Sequence, residues 1–382
     1  MSEPKDVPFY QQLALKLLAL TLIAFVIYIG QDILVPLAFA ILLGVLLLPI
    51  ASFLERKGFS RVMANLVSIF LGIAFIGAIV YFLSYQISIF VQDLPAIKKH
   101  LANHLITVQK WVSEQMNFTR SQQSHFMDDA ASKIKSTGTA MLGDTVVTVT
   151  QSLLVMVLLP VYTFLVMYYR DMIRKFLIKV FKDEHEPKVM EVLRESRSII
   201  QGYMIGLIIE MGIVAAINSA GLLILGIRYA IFLGVLAAIL NMIPYIGMLI
   251  ASVFCMLITL TSSTELADMV GVLVILTVVQ FIDNNIIMPK VVSSKVKINA
   301  LITILGVLVG GALAGISGMF LSIPAIAILK VIFDRVDDMK PWGILLGDEI
   351  TGTRKSKIYM KLESMGSKLR DPAPLKPPTL EE

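Results

Sequence analysis

Charge is what this sequence has least of. Asp, Glu, Lys and Arg together make up 16% of its 382 residues against 57% hydrophobic, with a mean hydropathy of +0.80. A chain with so little charge cannot clothe a water-soluble globule. Cysteine is almost missing: Cys255 stands alone inside an apolar run, which excludes a disulfide framework and a thiolate metal cluster. Histidine is scarce as well. His100 and His104 stand four apart, but His125 is distant and no carboxylate completes a ligand set, so no metal site is expected. No G-x-x-x-x-G-K-[ST] phosphate loop occurs, so ATP is not the energy source within this chain. No enzyme motif and no cofactor site is read. The net charge of +5 and pI of 9.1 fit basic loops of a membrane chain better than a nucleic-acid footprint, and no nucleic-acid partner is expected.

What the sequence does have is long apolar stretches. Charge-free runs cover residues 17–31, 33–54, 62–92, 145–169, 198–209, 211–227, 229–264, 269–282 and 298–329. About 20 apolar residues cross ~30 Å of hydrocarbon as a helix. Irregular backbone cannot be satisfied in lipid, and the runs lack the ten-residue alternation of a membrane barrel. The expected class is an all-α polytopic membrane protein with the bilayer as partner. Ala38-Phe39-Ala40 has the look of a cleavage site but lies inside the second run, so a retained helix is expected.

The order of runs suggests five regions. Residues 1–92 hold the first membrane helices, with Pro36 and Pro49 in the end turns of the second span; the basic loop Glu55 to Arg61 after it should face the cytoplasm, which puts the N-terminus inside. Residues 93–144 turn polar, with Leu94, Ile97, Leu101, Leu105, Val108 and Val112 at helical spacing, and read as an extracytoplasmic amphipathic insert. Residues 145–198 hold a fourth span, Thr145 to Tyr169, and then a basic segment in which Ile173, Phe176, Leu177, Val180 and Phe181 interleave with Arg170, Arg174, Lys175, Lys179 and Lys182. That pattern reads as an interfacial helix at anionic headgroups, or else as a docking site. Residues 199–333 form the transport core, and residues 334–382 a cytoplasmic tail, partly disordered.

The core breaks the usual charge bias if every run crosses once, because Lys290, Lys295 and Lys297 would then fall outside and the acidic loop Glu265 to Asp268 inside. The bias is repaired if runs 229–264 and 298–329 are re-entrant hairpins, dipping from outside and from the cytoplasm. Each is interrupted near its middle, the first at Asn241-Met242-Ile243-Pro244-Tyr245-Ile246-Gly247, the second at Gly310-Gly311, Gly315 and Gly318. The architecture expected is about six full spans plus two hairpins, about eight apolar segments, as an inverted repeat around a midplane site. Leu233-Gly234-Val235-Leu236 before Gly247-Met248 is echoed by Leu305-Gly306-Val307-Leu308 before Gly318-Met319. Both termini then lie in the cytoplasm.

Candidate site residues follow from what lipid penalises. Pro244 frees a carbonyl, Gly247 permits a turn and Asn241 offers donor and acceptor; with Tyr245 they can line a polar pocket or make a packed kink. Gly310, Gly311, Gly315 and Gly318 serve a hairpin tip or small-residue packing. Glu210 lies about eleven residues into the apolar span from Ile199, where charge costs at least ~2.5 kcal/mol; it is a functional group, a protonated and hydrogen-bonded one, or a contact to another subunit. Gln280, Asp283, Asn284 and Asn285 form an oxygen-rich group suited to a monovalent cation or a proton, or a polar cap at the membrane surface.

Leu225-Gly226-Ile227-Arg228-Tyr229-Ala230, the Asn241 to Gly247 motif, Gln280-Phe281-Ile282-Asp283-Asn284-Asn285 with Pro289, and Gly315-Ile316-Ser317-Gly318-Met319 with Pro324 resemble the autoinducer-2 exporter family of bacterial permeases. The match is specific over residues 200–333 and architectural before them. Met248 stands where that family often has proline, and Ile298-Asn299-Ala300-Leu301 where a His-Pro segment is commoner. The resemblance implies a helical homo-oligomer in the bacterial inner membrane and favours the pocket reading of Asn241 to Gly247. It further implies export of a small polar solute such as the quorum-sensing signal autoinducer-2, or sodium or lithium exchange for protons. A non-transporting membrane scaffold is the reading from outside that family.

Overall fold

Where a backbone has no water to turn to, it satisfies itself within a helix. The chain, described by a computed structural model over residues 8–92, 156–181, 185–243, 246–262, 266–292 and 298–348, is helical in those residues apart from short turns between helices. The expected insert at 93–144 with its three histidines, the start of the fourth span, Pro244, Tyr245, Lys295, Lys297 and the tail beyond 348 lie outside them.

In chain order the long helices are α1 (Phe9–Ile29), α2 (Gln31–Arg56), α3 (Arg61–Gln92), α4 (Met156–Tyr168), α5 (Arg170–Val180), α6 (Glu186–Ile224), α7 (Ala230–Asn241), α8 (Ile246–Ser262) and α9 (Leu266–Ile282). A π-helical turn, Asp283–Ile287, leads from α9 into the short α10 (Met288–Val291). Then come α11 (Ala300–Arg335) and α12 (Lys340–Leu346). Pro36 and Pro49 fall inside α2 rather than in its end turns, because the helix runs from Gln31 through to Arg56.

By length and composition α11 would be one 36-residue span. Its geometry makes it a hairpin. Ala314 and Gly315 leave helical conformation, Gly315 at φ 59° and ψ −146°, a region closed to residues with a Cβ. The arms 300–313 and 316–335 then run back along each other. A Cβ on Gly318 would stand 2.0 Å from the Gly310 carbonyl oxygen, and Ile326 fills the space beside Gly306. At the open end of the hairpin, the Asn299 N–H before the first arm donates to the Leu346 carbonyl of α12 at 3.1 Å. The break is therefore confined to Ala314–Gly315, whereas Gly310, Gly311 and Gly318 belong to the arms and let them touch.

α7 and α8 form the second hairpin. Gly247 turns so tightly that a Cβ there would meet the Leu240 carbonyl oxygen at 1.7 Å, and Cys255 lies against the Leu233 carbonyl further down. Twelve residues of α7 rise about 18 Å, short of the ~30 Å a full crossing needs. Among the described residues five helices are long and apolar enough to cross a membrane, six if the bent pair α4 and α5 is one span. Since α11 is among the five, counting by length hides one hairpin.

The basic ends of α2, α3, α5, α6 and α11 are tied together by ion pairs. Arg170 donates to Glu55 at 2.7 Å and Arg61 to Asp171 at 2.8 Å. Arg335 pairs with Glu191 and Glu195, and Lys188 with Asp337. The core lies between α6, α7, α8 and α9, around Leu222, Leu233, Cys255 and Val272, all fully buried.

Candidate functional site

A 3.6-residue period leaves positions eight apart about 80° apart around a helix, within one broad face. On α6 that relation joins Glu210 to Asn218, and both are buried, at 7% and 4% exposure. Antiparallel to α6, α9 ends in the π turn, where Asp283 is buried to 1%. A π turn inserts one extra residue into the helical ladder and is frequent at functional positions. Here it accompanies a split of the polar group: Asp283 turns inward, while Asn284 and Asn285 are exposed. Asn284 accepts a hydrogen bond from Gln280 at 3.0 Å, and Asn285 donates to the Phe281 carbonyl at 2.8 Å, so both are spent on their own helix.

The tip of the α7–α8 hairpin closes the group. Asn241, the last residue of α7, donates its Nδ2 to Asp283 Oδ2 at 2.9 Å. Glu210 and Asp283, 73 positions apart in sequence, are side-chain neighbours that interact directly. Three oxygens here are buried without a hydrogen-bond partner among the described residues: Glu210 Oε2, Asp283 Oδ1 and Asn218 Oδ1. Beside the carboxyl pair lies a hollow of about 10 Å³, lined on its polar side by Asn218, Asn241, Ser252 and Gln280. That is about the room needed by one water molecule.

Two carboxylates in contact inside a low-dielectric protein repel strongly, and neither has a cationic side chain beside it among the described residues. The arrangement is stable when the pair holds a proton or when a small cation lies among the oxygens. Every partnerless atom is an acceptor, so what is missing is positive charge or a donor. Hard monovalent cations take oxygen ligands, and the Asn218 amide and the two carboxyl groups supply them.

The structure brings Asn241, Asp283, Gln280 and Glu210 to one place. It turns Asn284 and Asn285 to the exposed side, Asn284 reaching the group only through its bond from Gln280, and places Gly247 at the turn and Gly310, Gly311, Gly315 and Gly318 in the other hairpin. Sequence reasoning missed Asn218 and Ser252. Asn218 carried a usable signal, an amide two turns from Glu210 on the same face; Ser252 carried none, since serine is common in membrane helices.

The family described as "AI-2E family transporter" matches residues 17–338. The chain is 26% identical over 319 residues to "Putative transport protein YrrI" of Bacillus subtilis (strain 168), covering 79% of this chain and 86% of that protein. It is 24% identical over 359 residues to "Putative transport protein YhhT" of Escherichia coli (strain K12), covering 94% and 99%. "Putative permease PerM" of the same strain is 25% identical over 338 residues, with 85% and 94% covered.

Proposed function

The chain belongs to the AI-2E transporter family and is a multi-pass membrane transporter, and we propose that it is an ion-coupled secondary exporter of a small polar organic solute, autoinducer-2 by the family's description. The observation that supports this reading is the buried carboxyl pair Glu210–Asp283 at the tip of a hairpin too short to cross the membrane. Ionisable groups at such depth are costly and persist where they carry protons, ions or substrate.

In the mechanism we infer, the two hairpins are re-entrant and dip from opposite faces, and the basic end is cytoplasmic by the positive-inside rule. Asn241 reports the state of Asp283 to the α7–α8 hairpin, because it loses its acceptor if Asp283 Oδ2 turns to a cation. A hollow of about 10 Å³ cannot hold an organic molecule, so the conformation is closed, and solute entry requires the α7–α8 hairpin to part from α6 and α9. The close glycine contact between the arms of α11 lets that hairpin move as one piece.

A second reading, exchange of a monovalent cation for protons, is favoured by one specific observation. All three partnerless atoms are oxygens, and the hollow suits a water molecule or an ion better than a furanone. Efflux of labelled autoinducer-2, sodium and lithium from proteoliposomes under an imposed pH gradient tests both. Solute efflux that follows the gradient supports the first reading, cation efflux alone the second. Flux of every kind that is unchanged in Asp283→Asn and Gly318→Leu would leave a scaffold.

A further inference from the structure

We propose that the corner where α2, α3 and α5 meet binds a phosphate-class oxyanion, supplied by the headgroup of an anionic phospholipid. This site is separate from whatever the protein transports. A second set of buried atoms lacks partners, opposite in chemistry to those around Asp283. Arg61 Nε and Nη2, Arg170 Nη1, and Asn65 Nδ2 and Oδ1 are all buried with no hydrogen-bond partner among the described residues. Four are nitrogen donors and one is an oxygen acceptor.

The sequence brings these atoms together in a definite way. Arg61 and Asn65 stand one turn apart on the buried face of α3, which continues through Ser68 and Ile69. Arg170 opens α5, and its neighbour Asp171 accepts from Arg61 at 2.8 Å, so the two guanidinium groups share one corner. The acidic groups there are already engaged: Asp171 takes Nη1 of Arg61, and Glu55 takes Nη2 of Arg170. Ser68 spends its hydroxyl hydrogen on the Ala64 carbonyl, and its oxygen takes no hydrogen bond from Asn65 or from the free Arg61 nitrogens. Asn65 is wholly buried, and an amide of that kind with neither end bonded among the described residues points to a group that those residues do not supply. Water both donates and accepts and would leave most of the donors unmatched. A phosphate is all acceptor, and its oxygens fit the guanidinium fork.

The source of the phosphate is argued from α5. The chain bends by 65° between α4 and α5, so α5 turns away from the direction of the membrane helix before it. Met172, Phe176 and Val180, spaced four apart, form an apolar stripe exposed by 60%, 63% and 57%. Lys175 and Lys179 form the neighbouring stripe. A helix of this kind lies in the interface, with its apolar edge among acyl chains and its cations at headgroup level. That places lipid phosphates beside Arg61 and Arg170, whose side chains are 33% and 25% exposed and offer the way in.

The test uses the purified full-length protein in nanodiscs of phosphatidylcholine, with and without phosphatidylglycerol, and phosphatidylcholine discs given inorganic phosphate. Thermal unfolding is followed in each. Phosphatidylglycerol should raise Tm by about 3–6 °C. Asn65→Asp installs a carboxylate among the donors, so it should raise Tm in pure phosphatidylcholine and abolish the further gain. Arg61→Gln, which breaks only a partly exposed ion pair, should lose the gain without the rise. A gain from inorganic phosphate alone would keep the oxyanion chemistry and overturn the lipid as its source. No gain from either, or a phosphatidylglycerol gain that survives intact in Asn65→Asp and so traces to the α5 lysines, would overturn the site.

Discussion

Replacing the carboxyl pair by its neutral isosteres, singly and together, separates a functional site from a structural one. Glu210→Gln and Asp283→Asn keep shape and leave an amide oxygen in each place, and the one introduced by Asp283→Asn could still accept from Asn241. What is lost is one negative charge. Two unit charges ~4 Å apart at an effective dielectric near 20 interact by about 4 kcal/mol. A cation held by both carboxylates therefore loses up to about a thousandfold in affinity when one is neutralised, and the amide dipole recovers part of that. Ion-coupled efflux in proteoliposomes should fall by about 10²–10³ in each single variant, and its dependence on a pH gradient should vanish. Because the two groups act on one ion or proton, the double variant should be no worse than the poorer single. Folding should move the other way: removing a buried like-charge contact leaves Tm equal to or above that of the parent. Single losses that multiply in the double variant, or Tm falling in step with flux, would refute the shared site.

Other consequences can be checked separately. Asn241→Leu strips Asp283 Oδ2 of its donor and should lower stability by about 1–3 kcal/mol in thermal or denaturant unfolding. Gly318→Leu forces a contact of 2.0 Å out to the ordinary 3.4 Å, parting the arms of α11; a destabilisation of at least about 1–3 kcal/mol and loss of flux are expected, whereas Gly212→Ala, with open space around it, should do neither. Asp337 is held at about 2 by hydrogen bonds from Lys188 and Lys340 and by their charge. Its folded value lies below the ordinary 3.8, so the Asp337 contribution is present above 3.8 and lost as pH falls through about 2; Asp337→Asn should flatten stability across that window. Lys290→Cys should react with a membrane-impermeant thiol reagent from the same side as Arg56→Cys.

The helical membrane class was legible because lipid allows so few structures: charge-free runs of this length have one common solution. The two interruptions were legible for the same reason, since proline, glycine and asparagine inside apolar runs mark broken helices. Their details were not. The stretch Gly310 to Gly318 offers four glycines for one turn. Only the arms packing against each other decide that Gly315 takes the positive φ while Gly310 and Gly318 supply contact. The candidate site divides in the same way. Asp283, Asn284 and Asn285 are consecutive and chemically similar, and only the rotation of their helix against α6 and α7 decides that the first is buried and the other two exposed.

The sequence by itself determined the solvent, the helices and the depth of Glu210, because those follow from local composition and the thickness of a bilayer. Only the tertiary structure decided that Glu210 meets Asp283, that Asn241 bridges to that pair, and that Arg61, Asn65 and Arg170 leave donors unmatched at the opposite kind of site. A side chain's partner across two helices depends on their rotation and crossing, which no spacing along one chain segment can fix.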